Sequence, residues 1–238
     1  MRRLNIKKVF IDPGHGGNDS GAVGVNGLLE KNINLEVAKK VRDLLKQQGL
    51  EVKLSRENDA TVSLSQRTNA ANTWKADCYV SIHCNAHNGS AKGIETFSYN
   101  SNTKDLANDV HSNILSTKSY TLNRGVKFAK FYVLTHTNMR ACLVELGFID
   151  NVEDVKLLTN NQEQFALGIA KGICKYLNIE YKLDKEKEEV VNPPVNNTDT
   201  FYRVVCGSFN NRVNAEERIE ELKEKGFEEA FIIVYIKE

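Results

Sequence analysis

Two histidines and two glutamates lie in four short segments whose residue types could carry out hydrolytic chemistry. The segments are Asp12-Pro13-Gly14-His15-Gly16-Gly17, Leu28-Leu29-Glu30-Lys31-Asn32, Ser81-Ile82-His83-Cys84-Asn85-Ala86 and Leu143-Val144-Glu145-Leu146-Gly147-Phe148. Imidazoles and carboxylates make up a catalytic metal centre, which needs three protein ligands, an open position for water and a nearby base. Three of the segments end an apolar, strand-like run and the other opens a helix. In open α/β sheets, ligands gather at the carboxyl ends of the strands, so His15, His83 and Glu145 should converge. Glu30 lies three residues before Ile33, on the stripe of Val37, Val41 and Leu44. That pattern turns its carboxylate toward the sheet, where it needs a partner or a metal. Spacing alone leaves open which of the four bind and which one moves a proton.

Rival chemistries fit less well. Strand alternation puts Cys78, Val80, Ile82 and Cys84 on one side, and Tyr79, Ser81 and His83 on the other. Cys84 therefore points away from the ligand face. The glycines around His15 free the backbone for a tight turn. A phosphate loop would need the G-x-x-x-x-G-K-[ST] spacing and a helix directly after it, and neither is present. The five cysteines, Cys78, Cys84, Cys142, Cys174 and Cys206, form no C-x-x-C and lie mostly in core-like runs. They read as reduced structural thiols.

The elements that must position these residues alternate between strand and helix. Apolar runs predict strands at Val9-Phe10-Ile11, 51–54, 78–84, 93–99 and 141–145. Helical periodicity covers 30–48, 64–75, 104–116 and 162–177, with Gly49 as a stop and Phe165, Ile169, Ile173 and Leu177 four apart. This pattern predicts an α/β fold, a mostly parallel twisted sheet with helices on both faces. The charge run Asp184-Lys185-Glu186-Lys187-Glu188-Glu189 and the segment Asn192-Pro193-Pro194 then mark a linker. Beyond it, Tyr202-Arg203-Val204-Val205-Cys206 and Phe231-Ile232-Ile233-Val234-Tyr235 read as strands. They flank a helix capped by Asn214, with Ala215, Ile219 and Leu222 on its stripe. The organisation is therefore a catalytic domain at 1–179, a linker at 180–200 and a small βαβ unit at 201–238.

A net charge of +1 gives no field for nucleic acid or an acidic membrane surface. No apolar stretch approaches the ~20 residues of a membrane span. Met1-Arg2-Arg3-Leu4-Asn5 is basic, but no apolar signal region follows it, so no signal peptide is expected. A protein acting outside the cell would then leave by another route, such as lysis.

The four segments together resemble the zinc-dependent N-acetylmuramoyl-L-alanine amidases of the amidase 3 type, over roughly Lys7 to Asn178. Leu54-Ser55-Arg56, Leu64-Ser65-Gln66-Arg67 with Ala71-Asn72, and Asn151 beyond Phe148 extend the match. The resemblance implies that His15, Glu30 and His83 hold Zn2+ and that Glu145 is the catalytic carboxylate. It implies cleavage of the amide between N-acetylmuramic acid and L-alanine in peptidoglycan, as in a phage endolysin or a bacterial autolysin. Asn85, His87 and His136 are candidate substrate-binding residues, and His111 reads as a surface residue. Arg67 reads as a structural ion-pair former. Two departures from the family pattern, Arg140-Ala141 for Pro-Ala and Thr135-His136 where an arginine is usual, are expected at the cleft rim.

The C-terminal unit is similar to the first half of a SPOR-type repeat. Such modules bind the glycan strands of peptidoglycan on a βαββαβ, ferredoxin-like sheet. A half unit leaves unpaired strand edges, so a homodimer through two such halves is expected; packing on the chain's own catalytic domain is the alternative. The competing functional readings are a zinc peptidase acting within the stem peptide and an inactive wall-binding module.

Overall fold

A computed structural model of the chain describes residues 6–118, 122–182, 211–228 and 231–232. The strands are β1 (Lys8–Pro13), β2 (Glu51–Leu54), β3 (Cys78–Asn85), β4 (Ile94–Ser98), β5 (Asn123–Phe128) and β6 (Arg140–Phe148). The helices are α1 (Glu30–Gln47), α2 (Leu64–Trp74), α3 (Asp105–Ser116), α4 (Tyr132–Thr135), α5 (Val152–Asn160), α6 (Gln162–Tyr176) and α7 (Arg212–Glu224). The strands form one sheet in the order β2-β1-β3-β6-β4-β5. All neighbours run parallel except β4 and β6, which are antiparallel. The alternation of strand and helix predicts this mostly parallel sheet, but not the reversal at β4.

The two faces of the sheet bury different sets of side chains. On one, Val9, Ile11, Val80, Ile82, Cys142 and Val144 meet the stripes of α1, α3 and α6, including Ile33, Val37, Val41, Ile114, Phe165 and Ile169. Each fully buried aliphatic side chain there contributes about 1.5–3 kcal/mol. On the other face, Phe10, Tyr79 and Leu143 meet Ala71 of α2 and Val133 and Leu134 of α4. Helices therefore cover both faces, as expected. The second cover is partial, and it leaves the ends of β6 and β4 on that face for the site.

Several expectations need correction. His111 is buried in α3, with Nδ1 3.0 Å from the Thr96 hydroxyl and Nε2 2.8 Å from Asn123 Oδ1, so it ties α3 to β4 and β5. Residues 180–182, read as the start of the linker, are docked. Tyr181 packs against the core, and Lys182 exchanges two hydrogen bonds with the Gln48 side chain at the end of α1. The cap of α7 is Asn211, which accepts from the Val213 N–H at 2.9 Å, rather than Asn214. The rest of the linker and the strands at Tyr202–Cys206 and Phe231–Tyr235, save Phe231 and Ile232, lie outside the described residues. The chain divides into two compact units, Met1–Leu183 and Asp184–Glu238. Cys78, Cys84, Cys142 and Cys174 are buried free thiols. Among the described residues, no helix is long and apolar enough to cross a membrane.

Candidate metal centre

His15 lies two residues past the end of β1 with φ of 60°, in the left-handed region that a side chain with a Cβ seldom adopts. Two buried arginines hold it there. Arg67 donates to the His15 carbonyl at 2.7 Å and the Pro13 carbonyl at 2.7 Å, and Arg56 donates to the carbonyls of Pro13 and Gly14. Arg67 is itself fixed by Asp12, with Nη1 2.7 Å from Oδ1, so it is the structural ion-pair former its sequence context suggested. Gly14 leaves room for the second histidine: a Cβ there would stand 2.2 Å from the His83 ring.

The glycines of this turn do not cradle a phosphate. The Gly17 N–H donates to Asp59 Oδ1 at 2.7 Å, and Lys31 pairs with the same carboxylate. The loop then covers the start of α1, where the N–H groups of Glu30 and Lys31 donate to the carbonyls of Ala22 and Ser20. Backbone thus replaces the side-chain cap that α1 lacks.

Glu30, in the first turn of α1, is buried and faces both histidines. Its Oε2 is 3.2 Å from His15 Nε2, and its Oε1 is 2.9 Å from His83 Nδ1. The remaining donors to this carboxylate are Ala22 N–H, Cys84 N–H and the Asn34 amide. Burial opposes its charge, yet the two histidines hold it well below the usual carboxylate range. Burial likewise opposes charge on His15, but Glu30 and Asp19 raise it to about 9. One ligand atom from each of His15, Glu30 and His83 lies within 4.8 Å of the others, a set that could hold a metal ion. Cys84 is outside this set. Its thiol lies beneath α1, 3.6 Å from Asn34 Oδ1, and burial pushes it well above its ordinary pKa.

Glu145 is the direct partner of His83 across the parallel β3–β6 pair. One of its oxygens is buried without a hydrogen-bond partner. Burial, countered by His83 and reinforced by Glu30 and Glu95, pushes Glu145 up to about 7. Together, the four residues singled out by type and spacing lie at one end of the sheet.

The candidate substrate residues fare differently. The Asn85 amide donates to Glu95 Oε1 at 2.8 Å, and its carbonyl accepts from the Ala86 N–H. It is therefore engaged in the wall of the site. His87 is exposed just beyond β3, and its N–H donates to Asp150. His136 must be corrected. It precedes β6, its carbonyl accepts from Asn72 near the end of α2, and its ring stacks on Tyr132 at 3.8 Å. From Arg140 to Glu145 the strand climbs about 17 Å, so His136 and the Arg140-Ala141 departure stand at the far end of the sheet, away from the cleft rim.

Two features escaped the sequence reading. Asp19 holds His15 Nδ1 at 2.8 Å; a carboxylate four residues after a histidine in a turn was the available signal. Glu95 is buried beside Glu145 and neutralised by Arg124 and Lys127. Its signal was a charge inside the strand-like run Ile94-Glu95-Thr96-Phe97.

Comparison with known proteins gives a consistent answer. The sequence profile of a family described as N-acetylmuramoyl-L-alanine amidase matches residues 9–175, and that of the SPOR domain matches residues 182–233. The chain is 39% identical over 226 residues to the N-acetylmuramoyl-L-alanine amidase CwlM of Bacillus licheniformis, covering 93% of this chain and 83% of that protein. It is 36% identical over 231 residues to the sporulation-specific N-acetylmuramoyl-L-alanine amidase of Bacillus subtilis, covering 95% and 84%. Among solved structures, the catalytic domain of CwlV from Bacillus (Paenibacillus) polymyxa superposes with a TM-score of 0.71 at 38% identity, covering 74% of this chain and all of that one.

Proposed function

The chain belongs to the N-acetylmuramoyl-L-alanine amidase family, and we propose that it hydrolyses the amide between N-acetylmuramic acid and L-alanine with zinc held by His15, Glu30 and His83 and with Glu145 as the proton carrier. The supporting observation is the meeting of the three donor residues beside Glu145. Their fit to zinc is chemical as well as spatial. Imidazole nitrogens and a carboxylate oxygen are donors that zinc takes, and the Glu30 carboxylate places one oxygen 3.2 Å from His15 Nε2 and the other 2.9 Å from His83 Nδ1.

When bound, zinc supplies a water of pKa near ~7 and polarises the amide carbonyl. Asp19 accepts from His15 Nδ1–H and leaves the Nε2 lone pair free to bind. Asn34 and the Ala22 and Cys84 N–H groups fix the Glu30 carboxylate. Glu145 takes a proton from the attacking water on a carboxylate oxygen. As the C–N bond breaks, it delivers that proton to the departing L-alanine nitrogen.

The C-terminal unit, matched by the SPOR profile, is read as the part that binds peptidoglycan. Self-pairing through that unit is a further part of this reading, and a monomer by light scattering at micromolar concentration would remove it. Both relatives cited span the chain almost end to end and are amidases of bacteria, one of them specific to sporulation. That favours a bacterial autolysin over a phage endolysin.

Digestion of purified peptidoglycan tests the enzyme. New L-alanine amino termini should appear, vanish with chelator and return with added zinc. Cuts within the stem peptide would favour the peptidase reading, and cleavage undiminished in Glu145→Ala would refute the assignment of the base.

A further inference from the structure

On the face of the sheet that carries Glu145, the next strand presents Glu95, whose side chain is 5% exposed. Its Oε1 accepts from the Asn85 amide, and its Oε2 accepts from both Arg124 Nε, at 2.7 Å, and Lys127 Nζ. Burial opposes the Glu95 charge, yet the two cations hold it below the ordinary carboxylate range. The cations themselves remain open to solvent, Arg124 at 33% and Lys127 at 40%. Gly125, with φ of 82°, stands at an irregularity in the β4–β5 register that brings residues 124 and 127 to the same carboxylate. Arg124 is steadied further by the Phe148 ring, 4.9 Å from its guanidinium carbon, and by the Lys92 carbonyl. One buried anion thus anchors two exposed cations, and the cluster keeps one positive charge in excess.

We propose that Arg124 and Lys127 form a carboxylate-recognition site that selects substrates whose stem peptide carries a free carboxylate just beyond the scissile amide. This rests on the amide-hydrolase reading above. Arg124 and Lys127 are drawn onto Glu95 of β4, one strand spacing of about 5 Å from Glu145, and extended peptide advances about 3.5 Å per residue. A peptide whose first nitrogen lies at Glu145 therefore brings the carboxylate of its first or second residue to these cations. The spare charge accepts that carboxylate in the geometry guanidinium and ammonium groups favour, while Glu95 keeps both side chains from swinging toward Glu145.

The test uses the full-length, zinc-loaded chain and two muramoyl-peptides that differ at one group. The residue after L-alanine carries either a free α-carboxylate or a carboxamide. The native chain should show a KM about tenfold lower for the free acid, with kcat similar for both. Lys127→Met should erase this preference by raising KM for the free acid about tenfold, and Lys127→Arg should retain it. Should Lys127→Met fail to fold by thermal melting, Arg124→Gln decides in its place. Equal KM values in the native chain, or a preference that survives Lys127→Met, would overturn the proposal and leave the amidase reading intact. Release of nothing from either peptide would overturn the amidase reading, and the proposal with it.

Discussion

Glu95 and Glu145 are direct partners across the antiparallel β4–β6 pair, and of the two it is Glu95 that is ion-paired with Arg124 and Lys127. The same face therefore holds one carboxylate kept charged and one made easy to protonate. Such a division separates a group that binds from a group that carries a proton.

The first prediction concerns Glu145 in chelated protein. Folding raises its pKa from 4.5 to about 7, chiefly by burial. Between those values the folded chain holds a proton that the unfolded chain has released. Stability must therefore fall as pH rises through that window, by at most about 3 kcal/mol. Glu145→Gln should lack this loss. Denaturant unfolding of both proteins from pH 4.5 to 8 measures it, and parallel curves would contradict it.

Asp19 fixes the His15 ring through Nδ1. Asp19→Ala should weaken metal binding about 10- to 100-fold while leaving the melting temperature of the chelated protein nearly unchanged, because Asp19 lies in an exposed turn. Competition against a zinc indicator would report the affinity.

Gly14→Ala should be more damaging than its size suggests. The added Cβ would stand 2.2 Å from the His83 ring, so that side chain must move. Loss of at least about 100-fold in cleavage rate is expected for a displacement of ~1 Å in a reacting constellation. Steady-state cleavage of soluble muramoyl-peptide provides the measurement.

Arg67→Met should cost about 3–5 kcal/mol, because it leaves the buried Asp12 carboxylate without its cation. Burial opposes the Asp12 charge, but Arg67 and the Ser55 hydroxyl hold its pKa below 3.8. The folded value is depressed, so the stabilisation is present above pH 3.8 and is lost as pH falls through the folded value. In Arg67→Met burial is left to raise the Asp12 pKa, so this acid-dependent loss should shrink or disappear although the variant is less stable at neutral pH. Acid titration of the circular dichroism signal would show it.

The parts of this fold legible in sequence are those governed by strong apolar period. The Ile33, Val37 and Val41 stripe announced α1 and turned Glu30 inward, and the run before Pro13 announced β1. β5 was missed because an edge strand buries little: in Asn123-Arg124-Gly125-Val126-Lys127-Phe128, Val126 alone packs on the core. α5 was missed because it is short and relies on Asn151, which caps Glu153 and Asp154. His136 was misplaced although the direction of the strand ending at Glu145 already put the loop before it at the opposite end of the sheet. His111 was misread because its partners, Thr96 and Asn123, come from two other strands. The convergence of His15, His83 and Glu145 was legible because it follows from strand direction alone. The reversal of β4, which brings Glu95 to the site, leaves no mark in local pattern.

The strand order also bears on how the enzyme is made. Of the strands in this sheet β6 is the last to leave the ribosome, yet it lies between β3 and β4. A chain stopped before Arg140 has His15, Glu30 and His83 but no Glu145, and β3 and β4 have no common neighbour to join them. The proposed proton carrier is therefore supplied by the strand of this sheet that is made last, when the catalytic domain is nearly complete.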